Sequence, residues 1–229
     1  MSPPPKSPRR AFTLLELLIV VMVVGMLITI SIPAVTALTT SSGMNTSARK
    51  VSNLIELARS RAISGNTLTR FGIATTWPKN DTEAYKKCAI WEWDRETLDF
   101  KQIQSWETMP GAVYFEPSGD ANYISAGRYA EENRSTINGD FLLSPDESDS
   151  EFDVDVDGST VSVRFIDFKA NGRLKRLDAT GRNVILLLVN GVLEGGTSMT
   201  YLEAKGGTPT NWAQINIDRL TGRPRIYRP

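Results

Sequence analysis

The sequence predicts an α+β protein: one long N-terminal helix, apolar enough over its first half to cross a membrane, followed by a head built on an antiparallel β-sheet or β-sandwich. Three observations carry that expectation. Residues 12–38, FTLLELLIVVMVVGMLITISIPAVTAL, hold a single charged side chain, Glu16. At ~1.5 Å per residue this run makes a helix of roughly 40 Å, longer than the ~30 Å hydrocarbon core of a bilayer. Met44, Ala48, Val51, Ile55, Ala58 and Ala62 then recur at alternating spacings of four and three, the period of one helix face. From about Leu68 onward, short alternating apolar segments are separated by Gly, Asn, Asp and Pro signals, which is the pattern of strands and turns.

Composition bounds the rest. The 229 residues suit one globular domain beyond the helix, and 41% hydrophobic residues are enough to build a core. The absence of histidine excludes Ser-His-Asp and Cys-His catalysis and any His-containing zinc site. Cys88 is the only cysteine, so no internal disulfide forms, and its place between Lys87 and Ala89 in a strand-like run predicts a small core or edge residue rather than a reactive thiol. Formal net charge is zero, with 26 basic and 26 acidic residues. Loss of residues 1–11, which carry Lys6, Arg9 and Arg10 and no acid, would make the remainder net negative and argues against broad nucleic-acid binding. Nothing in the sequence calls for a cofactor or for enzymatic chemistry.

In chain order, residues 1–11 form a short basic leader. Residues 12–38 form the membrane part of the helix, and Glu16 lies in its first turn or so, where the macrodipole favours an anion. A carboxylate inside an apolar span is costly, so Glu16 is expected to have a partner rather than only to snorkel at the membrane edge. A basic leader before the span, with no basic cluster immediately beyond it, puts the N-terminus inside and the C-terminus outside. SPRRAF also resembles a twin-arginine signal, and Val35-Thr36-Ala37 a signal-peptidase site that would release everything after Ala37. Signal h-regions, however, run ~7–15 residues and do not favour an internal Glu. Pro33 removes one backbone hydrogen bond and predicts a kink or loosened turn. Residues 39–65 continue as an amphipathic helix whose narrow, alanine-rich face packs on the head, with Arg49, Lys50, Glu56, Arg59 and Arg61 largely off that face and Gly65-Asn66 closing it.

Residues 66–229 are read as the β-rich head. CAIWEWD, a turn over 94–97, and LDFKQI make a strand pair; further strands are AVYFEP, FLL near residue 142, EFDVDV, TVSVRFIDF, GRLKRL, NVILLLVN, MTYLEA, WAQINID and PRIYR. Residues 183–190 are almost entirely apolar and predict a central strand buried on both faces. Asp153, Asp155, Asp157 and Gly158 reproduce the first half of a calcium loop, D-x-D-x-D-G, but the twelfth position is Arg164 instead of a bidentate Glu. The same residues read better as a strand with Phe152, Val154 and Val156 on one face and an Asp157-Gly158 hairpin turn. Arg223 and Arg225 point the same way in a strand and offer a contact for DNA phosphates, or equally a charged sheet edge, since Pro224 demotes that strand to an edge. Trp77, Trp91, Trp93, Trp106 and Trp212 are read as core and interface residues in preference to a ligand platform.

Ala11, Phe12, Thr13, Leu14 and Glu16 after a short basic leader, with Pro33 further along, resemble the N-termini of type IV prepilins and of type II secretion pseudopilins. LIELARSRAISGN, FKANGRL and INIDRLTGRPRI are similar to segments of the GspH/FimT group of minor pseudopilins. The region from about Ile124 to Asp149 matches nothing in that group. The resemblance implies a pilin-like fold and cleavage between Ala11 and Phe12 by an inner-membrane prepilin peptidase that methylates the new amine. The family usually has Gly where Ala11 stands, so slower processing is expected. It further implies that the bare helices pack into a filament core, with Glu16 meeting the Phe12 amine of a neighbouring subunit. The implied protein is a non-enzymatic, single-pass inner-membrane subunit with a periplasmic head. Its implied partners are other pseudopilins, the prepilin peptidase, an inner-membrane assembly platform and membrane lipid, with DNA as a partner in the pilin variant of this reading.

Overall fold

Met44, Ala48, Val51, Ile55, Ala58 and Ala62 are all buried on one side of a helix, α1 (Leu14–Ser64), as their spacing requires. The structure is a computed structural model that describes residues 14–78, 80–117, 139–141, 151–175, 183–196, 198–205 and 208–228 and, of these, every side chain except those of residues 24–41, 139–141 and 208. The helix closes as the sequence suggests: Gly65 donates its N–H to the Arg61 carbonyl (2.9 Å) and Thr67 donates to Ala62 (3.2 Å). The residue that turns left-handed is Asn66, with φ 48°, rather than Gly65.

The strands follow as β1 (Thr69–Ala74), β2 (Lys87–Asp94), β3 (Asp99–Thr108), β4 (Val113–Phe115), β5 (Gly139–Phe141), β6 (Glu151–Val156) and β7 (Ser159–Phe168). Then come β8 (Leu174–Lys175), β9 (Asn183–Glu194), β10 (Ser198–Tyr201), β11 (Ala204–Lys205), β12 (Thr208–Pro209), β13 (Trp212–Ile217) and β14 (Pro224–Tyr227). One sheet runs β3-β2-β1-β7-β6, with β8 beside β7; a second runs β10-β9-β13-β14, with β4 and β5 beside β9; β11 and β12 pair separately. Among the described residues the pairing is antiparallel with one exception that corrects the sequence reading: β5 lies parallel to β9, Gly139 opposite Asn183. A parallel pair cannot be joined by a tight turn. Here the chain visits β6, β7 and β8 of the other sheet between the two strands.

Both sheets share one core with the helix. Phe71, Ile73, Cys88, Ile90, Ile166 and Phe168 from the first sheet and Val113, Phe115, Leu186, Leu188, Ile215 and Ile217 from the second are buried in the same cluster as the helix stripe. Full burial of each such side chain stabilises the fold by about 1.5–3 kcal/mol relative to exposure. The small helix residues let the backbone of α1 approach both sheets closely. The head is thus a pair of helix-covered sheets, and each sheet keeps a second apolar cluster on its other face. β9 is the buried central strand expected: Val184, Leu186 and Leu188 face the helix side, while Leu187 and Val189 pack with Trp212, Met199 and Tyr201. β14 is the edge strand that Pro224 predicts.

By its internal contacts the chain divides into two units, Met1–Thr39 and Thr40–Pro229. In the first, the described side chains from Leu14 to Val23 are all exposed, among them Leu14 at 82%. The second contains both sheets and the buried helix stripe.

Candidate functional site

At the N-terminus, α1 begins at Leu14 and carries Glu16 in its first turn. Ala11 and Phe12, the expected processing junction, lie outside the described residues. Pro33 lies within α1, which is helical on both sides of it, and its side chain is outside the description. Among the described residues no helix is long and apolar enough to cross a membrane. The side chains of residues 24–41, which include the middle of the apolar run, are not among those described.

The acidic segment forms the hairpin. Phe152, Val154 and Val156 are half-buried while Asp153 and Asp155 are exposed, and Val156 pairs with Ser159 across a two-residue turn. Asp157 (φ 52°) and Gly158 (φ 76°) both adopt the left-handed conformation that such turns require. The carboxylates are used within the hairpin: Asp155 accepts from the Gly158 N–H (3.1 Å), and Asp153 accepts from the Ser162 hydroxyl (2.8 Å). Among the described residues no group of three or more acidic, Cys or His side chains could hold a metal ion.

The tryptophans are packing residues. On the face of the first sheet away from the helix, Trp77, Trp106, Trp91, Phe152 and Phe165 meet edge to face in a chain of contacts with centroids 5.2–5.4 Å apart. Trp93 packs edge-on against Phe100 (5.2 Å), and Trp212 is buried beside Leu187. Set into the aromatic face is a pair that sequence reading missed. The Arg70 guanidinium lies over Phe165 (3.5 Å) and Phe100 (3.9 Å) and donates to both oxygens of Asp167 (2.8 and 3.2 Å). The pair is created by strand register, Arg70 opposite Asp167 in β1 and β7, which no local pattern announces. Cys88 is fully buried in the shared core, and desolvation pushes its thiol up to about 12, so it stays protonated and unreactive.

The basic C-terminal segment sits at a knot of two turns. In the first, Gly172 donates to the Lys169 carbonyl (2.7 Å) and Lys169 donates to Arg173 (2.8 Å). In the second, Gly222 donates to Asp218 (2.7 Å) and Asp218 donates to Arg223 (3.1 Å), while the Asp218 carboxylate accepts from the Thr221 N–H (2.7 Å) and hydroxyl (2.8 Å). Burial opposes the charge on Asp218, yet the Thr221 and Leu220 hydrogen bonds and nearby Arg225 hold its carboxyl below the ordinary range. The turns interlock. Leu174 donates to the Arg219 carbonyl (3.2 Å), Arg59 of α1 donates its Nε–H to Thr221 (2.6 Å), and a Cβ on Gly222 would collide with the Gly172 carbonyl oxygen. Three segments far apart in sequence, LARSRA, FKANGRL and RLTGRPRI, thereby meet at one place. Arg223 and Arg225 are exposed there, beside and within edge strand β14, and Arg228 reaches Asn45 of α1.

Residues 6–32 match the family described as the prokaryotic N-terminal methylation motif. The chain therefore carries the N-terminal signature of a type IV pilin-like protein, and the resemblance to pseudopilins read from Ala11 to Glu16 holds at that motif. Among solved structures, the minor pseudopilin EpsH from the type 2 secretion system of Vibrio cholerae is similar with a TM-score of 0.39 and 9% identity, covering 81% of this chain and 97% of that one. A likeness that loose carries no argument about the head. No curated protein matches the chain.

Proposed function

We propose that this protein is a minor pseudopilin, a structural subunit of the periplasmic pseudopilus of a type II protein secretion system. The observation that carries the proposal is the methylation motif over residues 6–32, with Glu16 in the first turn of α1. On this reading residues 1–11 are removed by the prepilin peptidase, residues 12–38 span the inner membrane once, residues 39–65 extend the helix into the periplasm, and residues 66–229 form the head. The partners are the peptidase, the assembly platform, membrane lipid and other pseudopilins, which take the bare helix into the filament. A filament subunit needs no catalytic group.

Mass spectrometry of protein extracted from host membranes tests the reading. The expected N-terminus is Phe12, carrying an N-methyl group. A mature start at Leu38 would overturn the proposal in favour of a cleaved export signal.

A second reading, a minor type IV pilin that binds DNA during uptake, is favoured by one observation: Arg223 and Arg225 are both exposed at a short sheet edge. Phosphate contacts release counterions, so such binding weakens steeply with salt. Detergent-solubilised full-length protein should then bind duplex DNA at low ionic strength and lose it on Arg223→Ala with Arg225→Ala. An absence of salt-sensitive binding by the unmutated protein excludes this reading.

A further inference from the structure

We infer that two sheet edges of the head are complementary to each other and pair between copies of this chain: edge strand β14 of one copy adds in parallel to edge strand β6 of a second. The pairing depends on neither reading of function above.

Among the described residues β6 and β14 each end their sheet. On β6, Asp153 and Asp155 are exposed on one face, and Phe152, Val154 and Val156 are half-buried on the other. On β14 and the residue before it, Arg223, Arg225 and Tyr227 share one face, while Pro224 and Ile226 share the other, Ile226 being 36% exposed. One edge thus offers acids alternating with apolar side chains. The other offers arginines alternating with apolar side chains.

Backbone direction decides how the two can meet. Ser162 of β7 gives its carbonyl to the Thr75 N–H (2.8 Å), on the side away from β6, so the N–H and C=O of its opposite residue Asp153 point out of the sheet, as do those of Asp155. At the other edge Asp218 donates to the Arg223 carbonyl (3.1 Å), which turns the backbone groups of Arg223 and Arg225 toward β13 and those of Pro224 and Ile226 outward. Proline, with no N–H to offer, stands at one of the outward positions. The outward-facing backbone therefore belongs to acids on β6 and to apolar residues on β14. Antiparallel pairing sets outward-facing residues directly opposite one another, and would put Ile226 against a carboxylate in every register. Parallel pairing sets an outward-facing residue opposite an inward-facing one and bonds it to that residue's two neighbours. Ile226 then lies beside Val154 and bonds the backbone of Asp153 and Asp155, while Arg225 lies beside Asp153 and Pro224 beside Phe152.

Charged side chains on an edge commonly guard it against pairing. These two guards carry opposite charge, so each repels its own kind and attracts the other. Opposite charges directly across a strand pair are favourable, and apolar pairs on the second face add to them. Both strands are short, so the contact is weak between free heads and is strengthened when copies are tethered close together.

The test is disulfide trapping between two differently tagged full-length proteins in detergent micelles, Val154→Cys and Ile226→Cys. Paired strands lie about 4.8 Å apart, within the span a disulfide bridges, and native Cys88 is buried and stays protonated. The expected product is the mixed disulfide, formed faster than either homodimer and faster than the product of Ile226→Cys with Gln102→Cys, an exposed position on β3. Adding Asp153→Lys and Asp155→Lys to the first protein should slow its formation roughly tenfold, and Arg223→Glu with Arg225→Glu in the second should restore it. Restoration would also show that the slowed variant is folded. A mixed disulfide no faster than the Gln102→Cys control, or one that the first reversal leaves unchanged or the second fails to restore, overturns the inference. Ile226→Cys homodimer as the main product would overturn it in favour of two β14 edges pairing with each other.

Discussion

Arg70 and Asp167 show how much a single register pair can matter. Each in its own segment reads as a surface charge on an alternating strand, yet the Asp167 side chain is only 5% exposed and the Arg70 side chain 12%. The guanidinium is screened from water by Phe100, Phe152 and Phe165, so it serves at once as counter-charge and as part of the aromatic face. Arg70→Met keeps an apolar stem over the rings but leaves the Asp167 carboxylate buried without its partner. Breaking such a pair from one side costs about 3–5 kcal/mol, much of it the cost of the stranded charge. Chemical unfolding should show that loss for Arg70→Met and a smaller one for Arg70→Met with Asp167→Leu, which removes both charges. Equal losses would show that the carboxylate is not stranded and that stacking alone explains the site. Cys88 marks the opposite case, where local sequence was enough: a lone thiol among strand-forming residues reads as core, and it is core.

Among the elements, legibility followed the range of the signal. The helix stripe from Met44 to Ala62, the Asp157-Gly158 turn, the apolar run within β9 and the edge strand after Pro224 were readable because period, turn chemistry and proline geometry act within a few residues. The parallel pairing of β5 with β9 and the meeting of the two basic turns were not, because each joins segments separated by whole strands. The turn interlock predicts a difference between two glycines of similar backbone conformation. Gly158 (φ 76°) has open space where a Cβ would be, whereas a Cβ on Gly222 (φ 67°) would meet Gly172, Arg59 and Phe168. Gly158→Ala should therefore show only the left-handed cost of roughly 1–2 kcal/mol. Gly222→Ala should add the displacement of the turn and lose about 2 kcal/mol more, in the range of overpacked core sites. Thermal unfolding of the two variants gives the comparison directly. Equal destabilisation would mean that the turns part without resistance and that their close approach does not stabilise the head.

At the scale of the whole molecule, some thirty N-terminal residues carry the signature of a type IV pilin-like protein, while the contacts that tie the turns of the head together, Gly222 against Gly172 and Arg59 to Thr221, join segments too far apart to be read from the sequence. The proposed role in a filament then hangs on Glu16. If that carboxylate only snorkels at the membrane edge, Glu16→Leu leaves insertion and function intact, since a more apolar span enters the bilayer at least as well. If it meets the Phe12 amine of a neighbouring subunit, the variant still inserts and is still cleaved, but the amine is left unpartnered in an apolar bundle, at a cost of about 3–5 kcal/mol per pair. Insertion and assembly then separate. Crosslinking to other pseudopilins and secretion by the host, compared for wild type and Glu16→Leu at matched membrane abundance, distinguish the two. The expected result is normal membrane abundance and a Phe12 N-terminus in both proteins, with crosslinking and secretion sharply reduced in the variant. Unchanged crosslinking and secretion would make the charge incidental, and the assembly role would lose the physical interaction on which it is proposed.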